Sequence, residues 1–261
     1  MSEKVDWNAE KYHRVSEPQL NWGLTVLSSL PLNGDETVID AGCGSGRLTA
    51  HLAERLPRGN VVALDVSQKM LEVARRELGR FGDRVSFVEA DLLALPGSLD
   101  HRADVVFSAA TFHWVLDHRA LFRQLARVLK PGGRLRAQCG GKGNVQGFMG
   151  LTTQVAKTPD YARYFDGFVY PAHYAGVEET VAALTDAGFK APKVWLTPMP
   201  TPFASREDFE AFISSVVLRH PLAQLPEALR AAFTTAVVDL SARSQMSLTL
   251  DYVRLDIDTT L

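Results

Sequence analysis

The sequence predicts an α/β fold: a doubly wound sheet of seven strands with helices on both faces, and a small helical lid inserted near the C-terminus. Three observations carry this expectation. Up to residue 140, short apolar runs alternate with amphipathic helical patterns, as in a parallel sheet covered on both faces. The stretch Val38-Ile39-Asp40-Ala41-Gly42-Cys43-Gly44-Ser45-Gly46 ends one strand in three alternating glycines before a helix opens. Glycine permits a sharp turn and lets a ligand touch the main chain where a Cβ would intrude, so this is the beginning of a nucleotide-type site. Two helices of i, i+3, i+4 spacing then stand between two late strands, which suggests the lid.

The elements follow in order. Thr37–Ala41 is the first strand, and Arg47–Leu56 a helix with Leu48, Leu52 and Leu56 on one face. Asn60–Asp65 is the second strand; Ser67 caps a helix whose apolar face is Met70, Leu71, Ala74 and Leu78. Arg84–Glu89 and Ala103–Ala109 are the third and fourth strands. Asp117 caps a helix that turns Leu121, Phe122, Leu125, Val128 and Leu129 inward and is stopped by Pro131-Gly132-Gly133. Arg134–Cys139 is the fifth strand. A flexible loop, Gly140–Asn144, leads into an irregular aromatic region from Tyr161 to Tyr174. Val177–Ala187 is a helix, and Lys193–Met199 and Leu248–Ile257 are strands. Between them one helix carries Phe209, Phe212, Ile213, Val216 and Val217, and another carries Leu229, Ala232, Phe233, Ala236, Val237 and Leu240. The expected organisation is an N-terminal helical cap over 1–34 and a ligand-binding core over 35–141. Lid insertions span 142–176 and 202–246, and 177–201 and 247–261 complete the sheet.

Composition excludes several classes. Hydrophobic residues make up 46% of the 261, ample for a core, and the net charge of −2 gives no footprint for nucleic acid. No run has the roughly 18 apolar residues of a membrane span. The polar start, Met1-Ser2-Glu3-Lys4-Val5-Asp6, is not a secretory signal. Two cysteines, Cys43 and Cys139, exclude a disulfide scaffold and point to the reducing cytoplasm. HExxH helices and CxxC pairs are absent, and His113 and His118, five apart, cannot share a metal from one regular helix; no metal is expected.

The acid before the glycines decides which ligand is meant. Asp40 precedes Gly42, Gly44 and Gly46, and a second acid, Asp65, ends the second strand. A dinucleotide fingerprint wants a glycine at residue 47, where Arg47 stands. With Glu89-Ala90-Asp91-Leu92 and Ser108-Ala109-Ala110 after the third and fourth strands, the pattern resembles the Rossmann-like class I S-adenosyl-L-methionine (SAM) methyltransferases. That resemblance implies SAM as cofactor and S-adenosyl-L-homocysteine as product. The loop Gly42-Cys43-Gly44-Ser45-Gly46, with Asp40, would wrap the amino-acid part, and Asp65 would accept from the ribose hydroxyls. Asp91 would reach the adenine amino group with the Leu92 main chain beside the ring. Val66 and Met70 would flank ribose and adenine, and Ser108 and Ala109 would line the methionine side. Tyr12 would close over the cofactor. An ammonium and a sulfonium tolerate acids where a pyrophosphate would be repelled.

A narrower resemblance lies at both ends of this core. Asp6-Trp7-Asn8-Ala9-Glu10-Lys11-Tyr12 and Ser108-Ala109-Ala110-Thr111-Phe112-His113-Trp114-Val115 are similar to the trans-aconitate methyltransferases. Tyr12, Glu17-Pro18-Gln19 and His113-Trp114-Val115 are also similar to the juvenile-hormone-acid methyltransferases. Both groups O-methylate carboxylates. The resemblance implies a small carboxylic-acid acceptor held by Gln19 and Trp114, with His113 as a third contact. A carboxylate, of pKa about 4, needs no general base. The residues also admit methylation of a hydroxyl, amine or carbon with His113, His118, His173 or His220 as base, and a SAM-binding module without turnover. A tricarboxylate would draw on Arg14, Lys142, Arg219 and His220.

Overall fold

The computed structural model describes residues 17–261, with side chains from residue 19 onward. In chain order its elements are α1 (Glu17–Ser28), β1 (Thr37–Ala41), α2 (Arg47–Glu54), β2 (Asn60–Asp65), α3 (Gln68–Leu78), β3 (Val85–Glu89) and β4 (Ala103–Ala109). Then come α4 (His118–Val128), β5 (Leu129–Gly140), α5 (Gln146–Ala156), α6 (Val177–Asp186), β6 (Lys190–Pro198), β7 (Thr201–Pro202) and α7 (Arg206–Ser215). The last are α8 (Arg219–Ala223), α9 (Glu227–Arg243), β8 (Thr249–Leu250) and β9 (Val253–Thr260). The chain divides into two units: Met1–Lys142 with His173–Thr197 and Arg254–Leu261, and Gly143–Ala172 with Pro198–Val253.

The first unit holds a seven-stranded sheet in the order β3-β2-β1-β4-β5-β9-β6. β1 pairs in parallel with β2 on one side and β4 on the other, so the strand order reverses there and a crevice opens at the carboxyl ends. β9 runs antiparallel to β5. Alternate strand residues feed two cores. Val38, Val61, Val105 and Phe107 pack with α1, α2 and α3 through Val26, Leu52, Leu71 and Leu78. Ile39, Val106, Leu135 and Ile257 pack on the other face with Leu121, Phe122 and Leu125 of α4 and Leu184 of α6. Ser67 and Asp117 cap their helices, accepting from Met70 N–H and Ala120 N–H. β5 starts earlier than the expected Arg134 because Pro131-Gly132-Gly133 forms a bulge inside it, where the register with β4 shifts.

The second unit differs most from the sequence reading. Gln146–Ala156, a stretch given no element in the sequence analysis, is helix α5. Its start has no local cap; Asp251 supplies one from far along the chain, accepting from Gly147 N–H (2.7 Å) and Phe148 N–H (3.2 Å). That use of Asp251 also breaks the strand expected over Leu248–Ile257 into β8 and β9. In α9 the buried face is Phe233, Thr234, Val237, Val238 and Ser241, one position round from the expected stripe, and Ala232 is exposed. Among the described residues no helix is long and apolar enough to cross a membrane.

Candidate active site

The crevice is fastened by main-chain bonds. Gly42 N–H and Cys43 N–H both donate to Leu64 O, at 2.8 and 2.9 Å. Gly44 N–H donates to Asp65 Oδ2 and Ser67 N–H to Asp65 Oδ1, each at 2.9 Å. Gly42, Gly44 and Gly46 have φ of +85°, +54° and +86°, the left-handed region that disfavours a side chain. Their surroundings differ. A Cβ on Gly42 would stand 2.2 Å from Thr111 Oγ1, and one on Gly46 would meet Ala74 of α3 at 3.2 Å. A Cβ on Gly44 would meet nothing within 4 Å, because that side faces the cleft. The cleft encloses about 430 Å³, including space open to solvent. Leu20 of α1, Asp40, Gly42, Gly44, Arg47 and Ala109 line it.

Asp40 Oδ2 accepts from Thr49 Oγ1 at 2.7 Å. Burial pushes the Asp40 carboxyl up to about 7, with Thr49 opposing and Asp65 adding to the shift. Burial also raises Asp65, against the N–H groups of Ser67 and Gly44 that favour its charged form. Burial, with Asp40 and Asp65 nearby, holds the Cys43 thiol well above its usual range, so it is an inert loop residue. Two acids at a glycine cradle repel a pyrophosphate and suit a cationic ligand. Val66 N–H also favours the charged form of Asp65, and with about four acceptor sites the carboxylate keeps capacity for a ribose hydroxyl. The residues present therefore fit SAM.

Further along the crevice, Asp91 is exposed and its Oδ1 accepts from Leu93 N–H at 2.9 Å. Val66 and Leu93 are exposed apolar residues, whereas Met70 and Leu92 bury their side chains in the protein. Val66 and Leu93 thus offer the apolar surface here; Leu93 escaped the sequence reading, which looked only at the residue beside the acid. Ser108 Oγ donates to Ala41 O at 2.7 Å, strapping β4 to β1. Ala109 lines the cleft, and Ala110 is held at φ +57° while its N–H donates to Gln138 O at 2.7 Å.

Past β4, the turn Phe112–Trp114 carries the expected acceptor residues. His113 is buried between Trp114 (ring centroids 4.7 Å) and Tyr174 (5.7 Å, nearly parallel). Its Nδ1 accepts from Gly140 N–H at 3.3 Å, which puts the ring proton on Nε2. Burial first, then the charges of Arg254 and His118, hold its pKa well below the ordinary value, so the ring is neutral. Trp114 is half-buried. Gln19 sits in the first turn of α1, next to the cleft residue Leu20. Its Oε1 is buried with no hydrogen-bond donor among the described residues. Tyr12 and Arg14 lie outside the described residues.

The other histidines are committed elsewhere. His118 Nε2 lies 3.0 Å from Phe112 O, and His173 Nε2 lies 2.7 Å from Glu179 Oε1. In the second unit His220 Nε2 takes Arg219 Nη2 at 2.9 Å; burial and then Arg219 draw its pKa down to about 4. Among the described residues no group of three or more His, Cys, Asp or Glu could hold a metal. Trp22 and Arg254, not singled out from the sequence, stand near residues expected to hold the acceptor: Trp22 is one helical turn after Gln19, and the charge of Arg254 reaches His113. Arg254 lies over the Trp22 ring, 4.9 Å from its centroid. The available signal was the run Arg254-x-Asp256-x-Asp258, three charges on one face of an otherwise apolar strand.

Fold and cleft together define a domain that binds a nucleoside-bearing, cationic cofactor at a sheet switch point. Residues 38–133 match the family model described as "Methyltransferase domain". The chain is 29% identical over 231 residues to trans-aconitate 2-methyltransferase of Paracidovorax citrulli, covering 88% of this chain and 87% of that one. It is 36% identical over 132 residues to the enzyme of that name from an Azoarcus species, covering 51% and 50%. It thus spans half the length of the second relative. Among solved structures, Haemonchus contortus phosphoethanolamine N-methyltransferase 2 shares the fold, with a TM-score of 0.62 at 17% identity over 100% of this chain and 58% of that one. The Bacillus subtilis YcgJ protein does so with a TM-score of 0.62 at 18% identity over 93% and 97%. The protein is a class I SAM-dependent methyltransferase, and SAM is its cofactor.

Proposed function

We propose that the enzyme O-methylates a carboxylate on a small acceptor. One observation carries the reading: His113 is neutral, and its only basic lone pair, on Nδ1, is already taken by Gly140 N–H. It can donate from Nε2 but cannot take a proton, which suits a nucleophile that arrives ionised. The two named relatives, trans-aconitate 2-methyltransferases, support the same chemistry.

In this reading Asp65 grips the ribose, Asp40 faces the ammonium and the main chain at Gly44 supports the methionine part. When bound, SAM supplies a methyl on a sulfonium, and the carboxylate oxygen takes it as the carbon–sulfur bond breaks, leaving a neutral ester and S-adenosyl-L-homocysteine. Gln19 and Trp114 donate to the acceptor carboxylate and aim one oxygen along that line, with His113 Nε2–H as a third donor. Such orientation is worth roughly 7–11 kcal/mol in favourable cases. No proton moves. Asp91, Val66 and Leu93 hold the adenine end. The buried thiols of Cys43 and Cys139, both raised by burial, suit a reducing cytoplasm.

Incubation with methyl-labelled SAM and a panel of carboxylic acids tests this. The expected product is an alkali-labile ester, formed at saturating SAM at a rate without an ascending limb near the histidine pKa. Methyl products that survive alkali would reassign the acceptor to a hydroxyl, amine or carbon.

A further inference from the structure

The turn that carries His113 and Trp114 is joined to the glycine cradle through one side chain. β4 ends at Ala109, and Ala110 takes a left-handed backbone (φ +57°) while its N–H donates to Gln138 O. Thr111 follows, directly before the Phe112–Trp114 turn. A threonine in that place commonly turns its hydroxyl on an N–H of the turn it precedes. Among the described residues Thr111 makes no such bond. Its Oγ1 donates instead to Ala109 O at 3.1 Å and to Gly42 O at 3.3 Å, and its side chain fills the space where Gly42 lacks a Cβ. Gly42 and Ala109 both line the cleft, so one proton is shared between the carbonyls of two cleft residues. Both distances exceed the about 2.7–2.8 Å usual for O–H···O, so the hydroxyl has slack to follow either carbonyl. Thr111 O in turn accepts from Trp114 N–H at 2.9 Å. On its outer side the turn is tied to α4 and to the segment before α6: His118 Nε2 lies 3.0 Å from Phe112 O, and His173 N–H donates to His113 O at 2.8 Å. Thr111 is the tie on the cleft side.

We propose that Thr111 is a positioning residue: its hydroxyl sets the turn carrying His113 and Trp114 against the glycine cradle, so that cofactor in the cleft steadies the turn. The inference takes from the proposed function that this turn holds the acceptor; it does not require the acceptor to be a carboxylate. A ligand lying against Gly42 and Ala109 fixes both carbonyls that the hydroxyl serves, and so narrows the range open to Thr111 and to the turn it starts. The methyl donor then rests on the cradle and the acceptor on the turn. An error of about 1 Å between them costs rate rather than affinity, by as much as about 100-fold.

The test uses the full chain as wild type, as Thr111→Val, which keeps the shape, and as Thr111→Ser, which keeps the hydroxyl. Amide hydrogen exchange is followed with and without saturating S-adenosylhomocysteine. The ligand should slow exchange at Trp114 and Val115 N–H about tenfold in wild type and Thr111→Ser, an ordinary size for coupling between sites, and should not do so in Thr111→Val. Leu121 N–H, which donates to Asp117 O in α4, should respond alike in all three. With any acceptor that is turned over, Thr111→Val should lower kcat by roughly 10- to 100-fold, while acceptor KM and S-adenosylhomocysteine affinity stay near wild type and Thr111→Ser keeps the wild-type rate. Equal protection of Trp114 in Thr111→Val, or none in wild type, would overturn the inference. A loss of kcat matched by losses of cofactor affinity and melting temperature would assign Thr111 to the fold. If Thr111→Val does not fold, Thr111→Ala is read by the same exchange measurement. Alkali-stable products would overturn the carboxylate reading and leave this inference standing on its own two readouts; if no acceptor is turned over, exchange alone decides it.

Discussion

Around Gly44, the polar groups facing the cleft come from the loop after β1 and the end of β2, one stretch from Asp40 to Asp65. Around His113 they come from residues 19, 22, 113, 140, 174 and 254, carried by a helix, two loops and two strands. The first region is built by local backbone conformation: three left-handed glycines and strand-end hydrogen bonds. The second is built by register, since Arg254 meets Gly140 only because β9 returns antiparallel beside β5. Under the proposed function, the locally built region would serve the cofactor and the region assembled from distant partners the acceptor.

The largest effect should come from Gly44→Val. The new side chain points into the cleft, so SAM affinity should fall by more than about 100-fold, while the left-handed backbone costs only about 1–2 kcal/mol of stability. Gly42→Val is the contrasting case, because its side chain strikes Thr111 and should lower the melting temperature as well. Equal thermal losses in the two variants would mean that the open side of Gly44 is not a ligand surface.

Asp40→Asn sharpens the same contrast through pH. The folded-state pKa of Asp40 stands at about 7, above the ordinary 3.8. The folded protein therefore holds this proton more tightly than the unfolded chain, and stability is lost as pH climbs from about 4 to 7 and stays lost above. The variant, whose amide oxygen can still accept from Thr49, should melt a few degrees higher than wild type at pH 8 and alike at pH 4. It should also bind SAM about tenfold more weakly at pH 8. Wild-type affinity should rise with pH towards 7 and the variant's should stay flat; parallel pH curves would remove Asp40 from cofactor binding.

Gln19→Ala probes the distant region, with an effect no larger than that of Asp40→Asn. It should raise the acceptor KM about tenfold, the loss of one hydrogen bond to a charged group, and leave SAM affinity unchanged. Equal losses for acceptor and cofactor would merge the two regions into one.

These regions were unequally legible in the sequence, for physical reasons. The glycines and the caps Ser67 and Asp117 act within a few residues of themselves, and Asp40 and Asp65 each stand at the end of a strand, so spacing shows them directly. Helix α5 stayed hidden because its cap, Asp251, lies beyond every local window, and Val145 at its start is left-handed with φ +49°. The break between β8 and β9 has the same cause, since the residue that caps one element interrupts another. Arg254 and Trp22 were invisible as a pair because neither is unusual alone; register and helix placement bring them together.

The most direct measurement of the central claim is a crystal structure of the protein soaked with S-adenosylhomocysteine. The account predicts ribose hydroxyls within hydrogen-bond distance of Asp65, the amino-acid tail against Gly44 and near Asp40, and adenine between Val66 and Leu93. Density for the ligand away from the β1–β2 loop, or a ribose out of reach of Asp65, would contradict it.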